Sequence, residues 1–470
     1  MARVALSGEA RLSRRTALAY GAAAIGGLAW LGGCALTRGV GHARASPSPN
    51  GQVQTLVIGL PAITGTVRGS TIQQLINTAL EPFLQEHHGV RIQQASYPGQ
   101  ATTQLLAALA AGTGPDVLAN SVMPPFVSSG FLLDLGPYIR EESVDLSVFP
   151  AGMLDYFASS ATVSPTNPQG TYGLPLDMDQ RAYVVNLSAL DNLGLGYPDA
   201  SWTYEQYGNL FVRASAPASG TTPQRYGGML IWRGYDFSRN MPSPGELHAW
   251  GGGFVDATNN RLCALGDAGS IAYGEWATNL YQQRAVLLEE TMTTGATNSA
   301  FTKGTLVVHS VYTQEIAITA DWKGFSWDFF PMPVGPVQQT ALVSTNFYAV
   351  NASTKYPELS WELVRWLTVE PTFSRFLMTA LLYPPARLDQ WEEWKSIVES
   401  VAPSLSPLNL NVFVDQAAAN HLWAGRVFPY SDTEVLPILN TASPEILSGA
   451  VSVSEGYQAI ATQIDALANA

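Results

Sequence analysis

The sequence predicts an α/β protein of two domains, on three observations. Between Gln54 and Asn120 the chain reads strand, helix, strand, helix, strand, the order of a layer with parallel pairing. Its 470 residues exceed one typical core. Its composition, 46% hydrophobic and 13% charged with 12 Trp, 19 Tyr and 17 Phe, suits a folded, aromatic-rich chain rather than a disordered one. A formal charge of -13 opposes nucleic-acid binding, which needs a basic face, and passive adhesion to anionic lipid. No internal repeat of solenoid length is visible.

Residues 1–33 read as a targeting segment. Arg11, Arg14 and Arg15 form a basic region ahead of the apolar run "ALAYGAAAIGGLAWLGG" and Cys34. That run is short and rich in glycine, so a cleaved signal is expected; an uncleaved anchor helix is the alternative. "LSRRTAL" resembles a twin-arginine export signal, with Ala17 where a larger apolar residue is commoner. "LGGC", Leu31 to Cys34, resembles a lipobox, which makes Cys34 the expected lipid attachment site. The signal carries four Arg and one Glu, so cleavage leaves a more acidic chain, held to the membrane by acyl chains and not by charge. Residues 34–52, rich in Gly, Ser and Pro, read as a flexible tether. Cys263 then stands alone, with Arg261 nearby and no adjacent His, and reads as a buried structural cysteine.

The elements follow in order. "QTLVIGL" is a compact apolar run ended by Pro61, as expected of a buried strand. Ile72, Leu75, Ile76, Ala79, Leu80, Phe83 and Leu84 fall at helical spacing, with Gly89 closing the helix and Pro82 expected to kink or break it. "VRIQQASY" is a second strand, a helix follows over Gln104 to Ala111, and "DVLAN" is a third strand. The glycines between those last two raise the question of a phosphate loop. A Walker loop runs strand to helix and carries a lysine; here the order is reversed and no lysine follows, so Gly112 and Gly114 read as a helix cap and a turn. Later elements are a strand over Ala182 to Asn186, a helix capped by Thr203 with Gln206 completing a capping box, and a hairpin around Asn259-Asn260. "GTLVVHSV" and "TALVSTNFYAVN" each read as one strand, Pro371 starts the second of two late helices, and Tyr457, Ile460, Ala461 and Ile464 face inward from a last helix.

Four stretches in this order resemble the bacterial family 1 extracellular solute-binding proteins. They are "ATTQLLAALAAGTGPDVLANS" with "FVSSGFLLDLGPYI", then "TYGLPLDMDQRAYVVNLSALDNLGL", then "SWTYEQYGNL", and finally "FTKGTLVVHSVY" with "ELSWELVRWLTVEPTFSRF". The departures are Ala182 to Val185, where an aromatic usually precedes the Asn, and the inverted pair Trp202-Thr203. The resemblance implies the two-lobe periplasmic-binding-protein fold (type II) with the ligand in a cleft between lobes. It places the N-lobe at 53–175 and 343–385 and the C-lobe at 176–342 and 386–470, with crossings near 174–180, 338–345 and 384–390. It implies a monomeric receptor of an ABC importer that binds a sugar, partners the permease, needs no cofactor or metal, and catalyses nothing.

A sugar site needs aromatic platforms for C–H faces and carboxylates, amides or Arg for hydroxyls. Trp232, Trp250, Tyr312, Phe428 and Tyr430 lie at or near loop ends, and Gly251 beside Trp250 would allow a ligand close to the backbone. Core packing is the alternative for each aromatic, and it is favoured for Trp361 and Trp366. The resemblance singles out Tyr312, where relatives often carry a sugar-stacking Trp, and Arg387 of "YPPAR", whose alternative is a surface ion pair. Asp177 and Asp179, two apart at the expected hinge, point the same way if extended, as hinge or hydroxyl contacts, with plain surface charge as the alternative. Their proximity on one element fits a glycosidase pair poorly. Asn120 and Asn346 end strands on the cleft side, with turn capping as the alternative. The six His are scattered: His87 and His88 diverge on a helix, and no Gly-x-Ser-x-Gly elbow is present. A secreted carbohydrate-active enzyme, and the same fold holding a polyol phosphate, a peptide or a polyamine, are the competing readings.

Overall fold

The computed structural model describes residues 53–60, 66–67, 70–96, 101–120, 123–230, 244–288, 294–426, 428–430 and 432–469. The expected signal segment, Cys34, the tether and Trp232 lie outside them. Two five-stranded sheets organise the chain. The first runs in the order Val90–Ser96, Gln54–Leu60, Val117–Asn120, Phe347–Val350, Leu174–Pro175. Its first three strands pair in parallel, as the strand-helix-strand order requires, and the last two join antiparallel. The second runs Val308–Tyr312, Asp179–Asn186, Ala341–Ser344, Leu422–Trp423, with Trp327–Phe330 also on Asp179–Asn186. Asp179–Asn186 is buried along its whole length, which explains its unbroken run of non-alternating residues.

Local chemistry explains the joints. Gly112 adopts φ +69°, a left-handed cap that L side chains resist, and its N–H donates to Leu109 O at 3.0 Å. A Cβ on Gly114 would lie 2.6 Å from Leu109 Cδ2, so this glycine lets the turn fold back on its own helix. The Asp116 carboxylate then accepts from Val57 N at 2.8 Å and from Thr354 Oγ1 at 2.7 Å, tying the new strand to its neighbours. The turn is structural, and no phosphate cradle is formed. Thr203 and Gln206 make the reciprocal capping box of the helix Tyr204–Ala214, with bonds of 3.3 and 2.8 Å. Thr203→Ala is expected to cost about 1 kcal/mol, read as a lower urea midpoint at unchanged slope.

Three sequence expectations are sharpened, and the second of them is corrected. Of the kink or break expected at Pro82, the break does not occur: the helix Ile72–Glu86 runs through it, with Ile76, Leu80 and Phe83 buried in the core. The stretch "TALVSTNFYAVN" is two strands in different sheets, Ala341–Ser344 and Phe347–Val350, with Thr345-Asn346 stepping between them. Around Asn259-Asn260 the expected short hairpin is present, its turn capped by Asp256 and its arms paired at the antiparallel bridge Val255 to Cys263. Cys263 is buried there. Trp361 and Trp366 are core residues, and Tyr457, Ile460, Ala461 and Ile464 face inward as expected.

Candidate functional site

The sheets are joined where Leu174–Pro175 continues through Leu176, Asp177 and Met178 into Asp179–Asn186, beside the Thr345-Asn346 step. Asp177 is fully buried at this junction. One carboxylate oxygen accepts from Asn346 N and the other from Asn346 Nδ2, each at 2.7 Å, while Leu176 N donates to Asn346 O at 2.8 Å. The Asp177 backbone also forms an antiparallel bridge with Pro385, so the chain near 346 and the chain near 385 both meet this residue, the first through its carboxylate and the second through its backbone. Burial pushes its pKa up to about 7, and the Asn346 bonds pull it back only in part.

Asp179 is served separately. Its Oδ1 accepts from Thr313 Oγ1 at 2.9 Å and from Gln314 N at 2.8 Å. Burial pushes its pKa well above the usual carboxylate range, with the Asp177 charge adding to the shift. The two acids therefore face different partners. The next residue of that alternation, Arg181, was given no role by the sequence reading. It is fully buried, its Nη1 donates to Ser310 Oγ at 2.8 Å, and its guanidinium carbon lies 4.0 Å over the centroid of the Tyr312 ring. Tyr312 is directly opposite Arg181 in the strand register and is 7% exposed. One face of that ring is thus covered by protein, which leaves at most the other for a ligand. Only the spacing Asp177, Asp179, Arg181 on one strand face signalled this cluster in the sequence.

Asn120 closes its strand opposite Phe347, and its amide donates to Thr102 Oγ1 at 3.3 Å. Asn346 spends its side-chain amide on Asp177. The remaining candidates are drawn elsewhere. Trp250 packs edge-on and tilted against Tyr204, Tyr273 and Trp276, with centroids 5.7 to 6.1 Å away. Gly251 has φ +75°, and a Cβ there would meet Val337 Cγ2 at 2.8 Å. Its neighbour Gly252 lies against Ser270, so the close approach to these glycines is made by the protein itself. Arg387 pairs with Asp389 at 2.7 and 3.0 Å and also donates to the Val369 carbonyl, the ion pair that was the alternative to a cleft role. Tyr430 donates to Arg261 O at 2.8 Å and stacks on Phe428, which itself packs on Phe254. His87 is held by Phe83 O and Glu362, and among the described residues no three His, Cys, Asp or Glu side chains are grouped to hold a metal.

A cavity of about 560 Å³ opens between the helix Ala151–Ala161 with the residues after it and the turn at Ala257 to Asn260. Phe157, Thr162, Leu174, Asn259 and Arg426 are among its walls, and none of the sequence candidates is. No helix among the described residues is long and apolar enough to cross a membrane.

No curated protein sequence matches the chain. Solved structures do. An ABC substrate-binding protein from Listeria monocytogenes in complex with cycloalternan superposes with a TM-score of 0.67 at 14% identity, over 88% of this chain and 99% of that one. The sugar-binding protein MalE from Xanthomonas citri gives 0.66 at 16% identity, over 88% and 97%. A cyclic alpha-maltosyl-1,6-maltose binding protein from Arthrobacter globiformis gives 0.65 at 16% identity, over 88% and 99%. At such identities these likenesses establish the two-lobe fold. A sequence profile described as bacterial extracellular solute-binding protein matches residues 63–371, and with most of the chain covered, the protein belongs to the bacterial extracellular solute-binding protein family.

Proposed function

We propose that this protein is the receptor of an ABC importer and binds a sugar or oligosaccharide between its lobes. The family match over residues 63–371 carries the reading. The relatives with cycloalternan and cyclic maltosyl-maltose in their names supply the solute class. The lobes are taken as 53–175 with 343–385 and 176–342 with 386–470. Asp177, Asp179 and Asn346 act at the crossings, and Tyr312 with Asn120 is offered to the solute. Solute that contacts both lobes favours their closed arrangement by its differential affinity, and the closed form docks on the permease. Cys34 carries lipid and holds a monomer at the outer face of the membrane. Asp177 and Asp179 are both occupied by protein donors, which argues against their service as acid and base.

A thermal-shift panel tests this, with maltose, linear malto-oligosaccharides, cycloalternan, glycerol phosphate, spermidine and a short peptide. A sugar at one hundred times its Kd is expected to add about 2.7 kcal/mol of stability and raise the melting point. A shift with only the phosphate, amine or peptide overturns the sugar assignment. Conversion of the bound sugar to product overturns the receptor.

A further inference from the structure

Away from the hinge acids, one ion pair joins segments that the two-lobe reading assigns to different lobes. Asp155 stands on the helix Ala151–Ala161, and Arg426 follows the strand Leu422–Trp423. Arg426 Nη2 donates to Asp155 Oδ1 at 2.9 Å and Nε to Oδ2 at 3.0 Å, the two-pronged geometry that makes Arg–carboxylate pairs directional. Nη1 donates to the Ala257 carbonyl, so the same guanidinium also holds the turn on the far wall of the cavity. Asn260 on that turn reaches back to Thr162. Next to the pair, Gly152 lies so close to the strand that a Cβ would collide with the Leu422 carbonyl oxygen. The helix is therefore docked against the other lobe by a glycine contact, one bidentate pair and an amide, beside the cavity.

We propose that Asp155 and Arg426 form an interlobe lock, which weights the arrangement described here against the alternative one and so tunes solute affinity. A ligand that needs the other arrangement must overcome the lock, whereas one that needs this arrangement gains from it. The Arg426 and Asp155 side chains are 23% and 29% exposed, so the pair is screened less than a surface bridge yet remains breakable. The inference rests on the two-lobe reading and not on the identity of the solute.

The test measures interlobe distance in the solute-free mature protein. Spin labels are placed at Glu86→Cys and Gln458→Cys, both exposed and one in each lobe, with the buried Cys263 left in place. Asp155→Asn and Arg426→Gln are each expected to change the ratio of the two lobe arrangements by roughly two- to fivefold. The charge exchange Asp155→Arg with Arg426→Asp is expected to restore the wild-type distribution. Gly152→Val, which wedges the helix off the strand without touching the pair, is expected to shift the ratio in the same direction as the single variants. Superimposable distributions for wild type and both single variants overturn the lock. So does a shift that the charge exchange leaves uncorrected, because it then belongs to the Ala257 contact. A sugar panel that fails to bind leaves this experiment unaffected.

Discussion

Asp177→Asn is expected to fold and to stabilise the protein above pH 7, whereas Asp177→Ala is expected to cost about 3 kcal/mol at the same pH. The difference lies in what Asn346 loses. Alanine removes both acceptors, so the Asn346 N–H and side-chain amide each lose the oxygen they donate to. Asparagine keeps an oxygen for the N–H, and a turned Asn346 amide can accept from the new NH2 group. What asparagine removes is the buried charge. With a folded pKa of about 7 against 3.8 unfolded, Asp177 holds its proton more tightly in the folded state. Its contribution is therefore fully present at low pH and is lost as pH rises from about 4 to about 7. His309, pushed down to about 3, and His248, pushed down to about 4, act oppositely, because burial disfavours their charged forms. Their penalty sits at low pH and disappears as pH rises toward 6.5. Wild-type stability can thus look flat across this range while its parts oppose each other. The difference between wild type and Asp177→Asn isolates the acid. Urea unfolding at pH 4.5, 5.5, 6.5 and 7.5 should show the Asn variant gaining on the wild type with each step. A difference that does not change with pH would sink the assignment. Asp179 and Tyr348 are the neighbouring groups electrostatically coupled to Asp177, and both remain in the variant.

The same carboxylate shows where sequence reading ran out. The strands Val117–Asn120 and Asp179–Asn186 are buried along their whole length, and the apolar runs at Gln54–Leu60, Val117–Asn120 and Ala182–Val185 announce strands without knowledge of their partners. Caps are equally local, as Thr203 with Gln206 shows, because every atom involved lies within one turn. The Thr345-Asn346 step is different. Its flanks are both apolar and strand-like, and what divides them is a bond to Asp177, far away in the chain. The packing around Trp250 is non-local for a related reason. A glycine beside an aromatic means only that something approaches the backbone; here it is Val337 and Ser270, brought from elsewhere. The family was legible because the order of its motifs survives divergence. The site was not, since which side chains face a cleft depends on long-range pairing.

Arg181 makes that point with the second large effect: Arg181→Met is expected to cost at least about 3 kcal/mol and to raise the pKa of His309. A fully buried guanidinium persists only where its surroundings repay desolvation. Ser310 and the Tyr312 face do part of this, and a desolvated cation–π contact is worth about 2 kcal/mol. Glu246, 3% exposed on the helix Pro244–Ala249, lies within electrostatic reach of the same tyrosines, Tyr183 and Tyr273, with the opposite sign. Removing the cation leaves those tyrosines under the field of the acid without the opposing one, and breaking a buried charge arrangement from one side costs more than the arrangement was worth. His309 reports the charge directly. Burial is the main reason its pKa is low and Arg181 the next, so in the Met variant it should rise yet stay below 6.5. Arg181→Lys separates charge from shape. Lysine keeps the positive charge and holds His309 low, but it lacks the flat face for Tyr312 and costs about 1–2 kcal/mol. Urea unfolding reads the cost and an NMR titration of the imidazole reads the charge. If the Met variant does not fold, the Lys variant still decides. A Lys variant of wild-type stability would mean that the stack on Tyr312 contributes nothing.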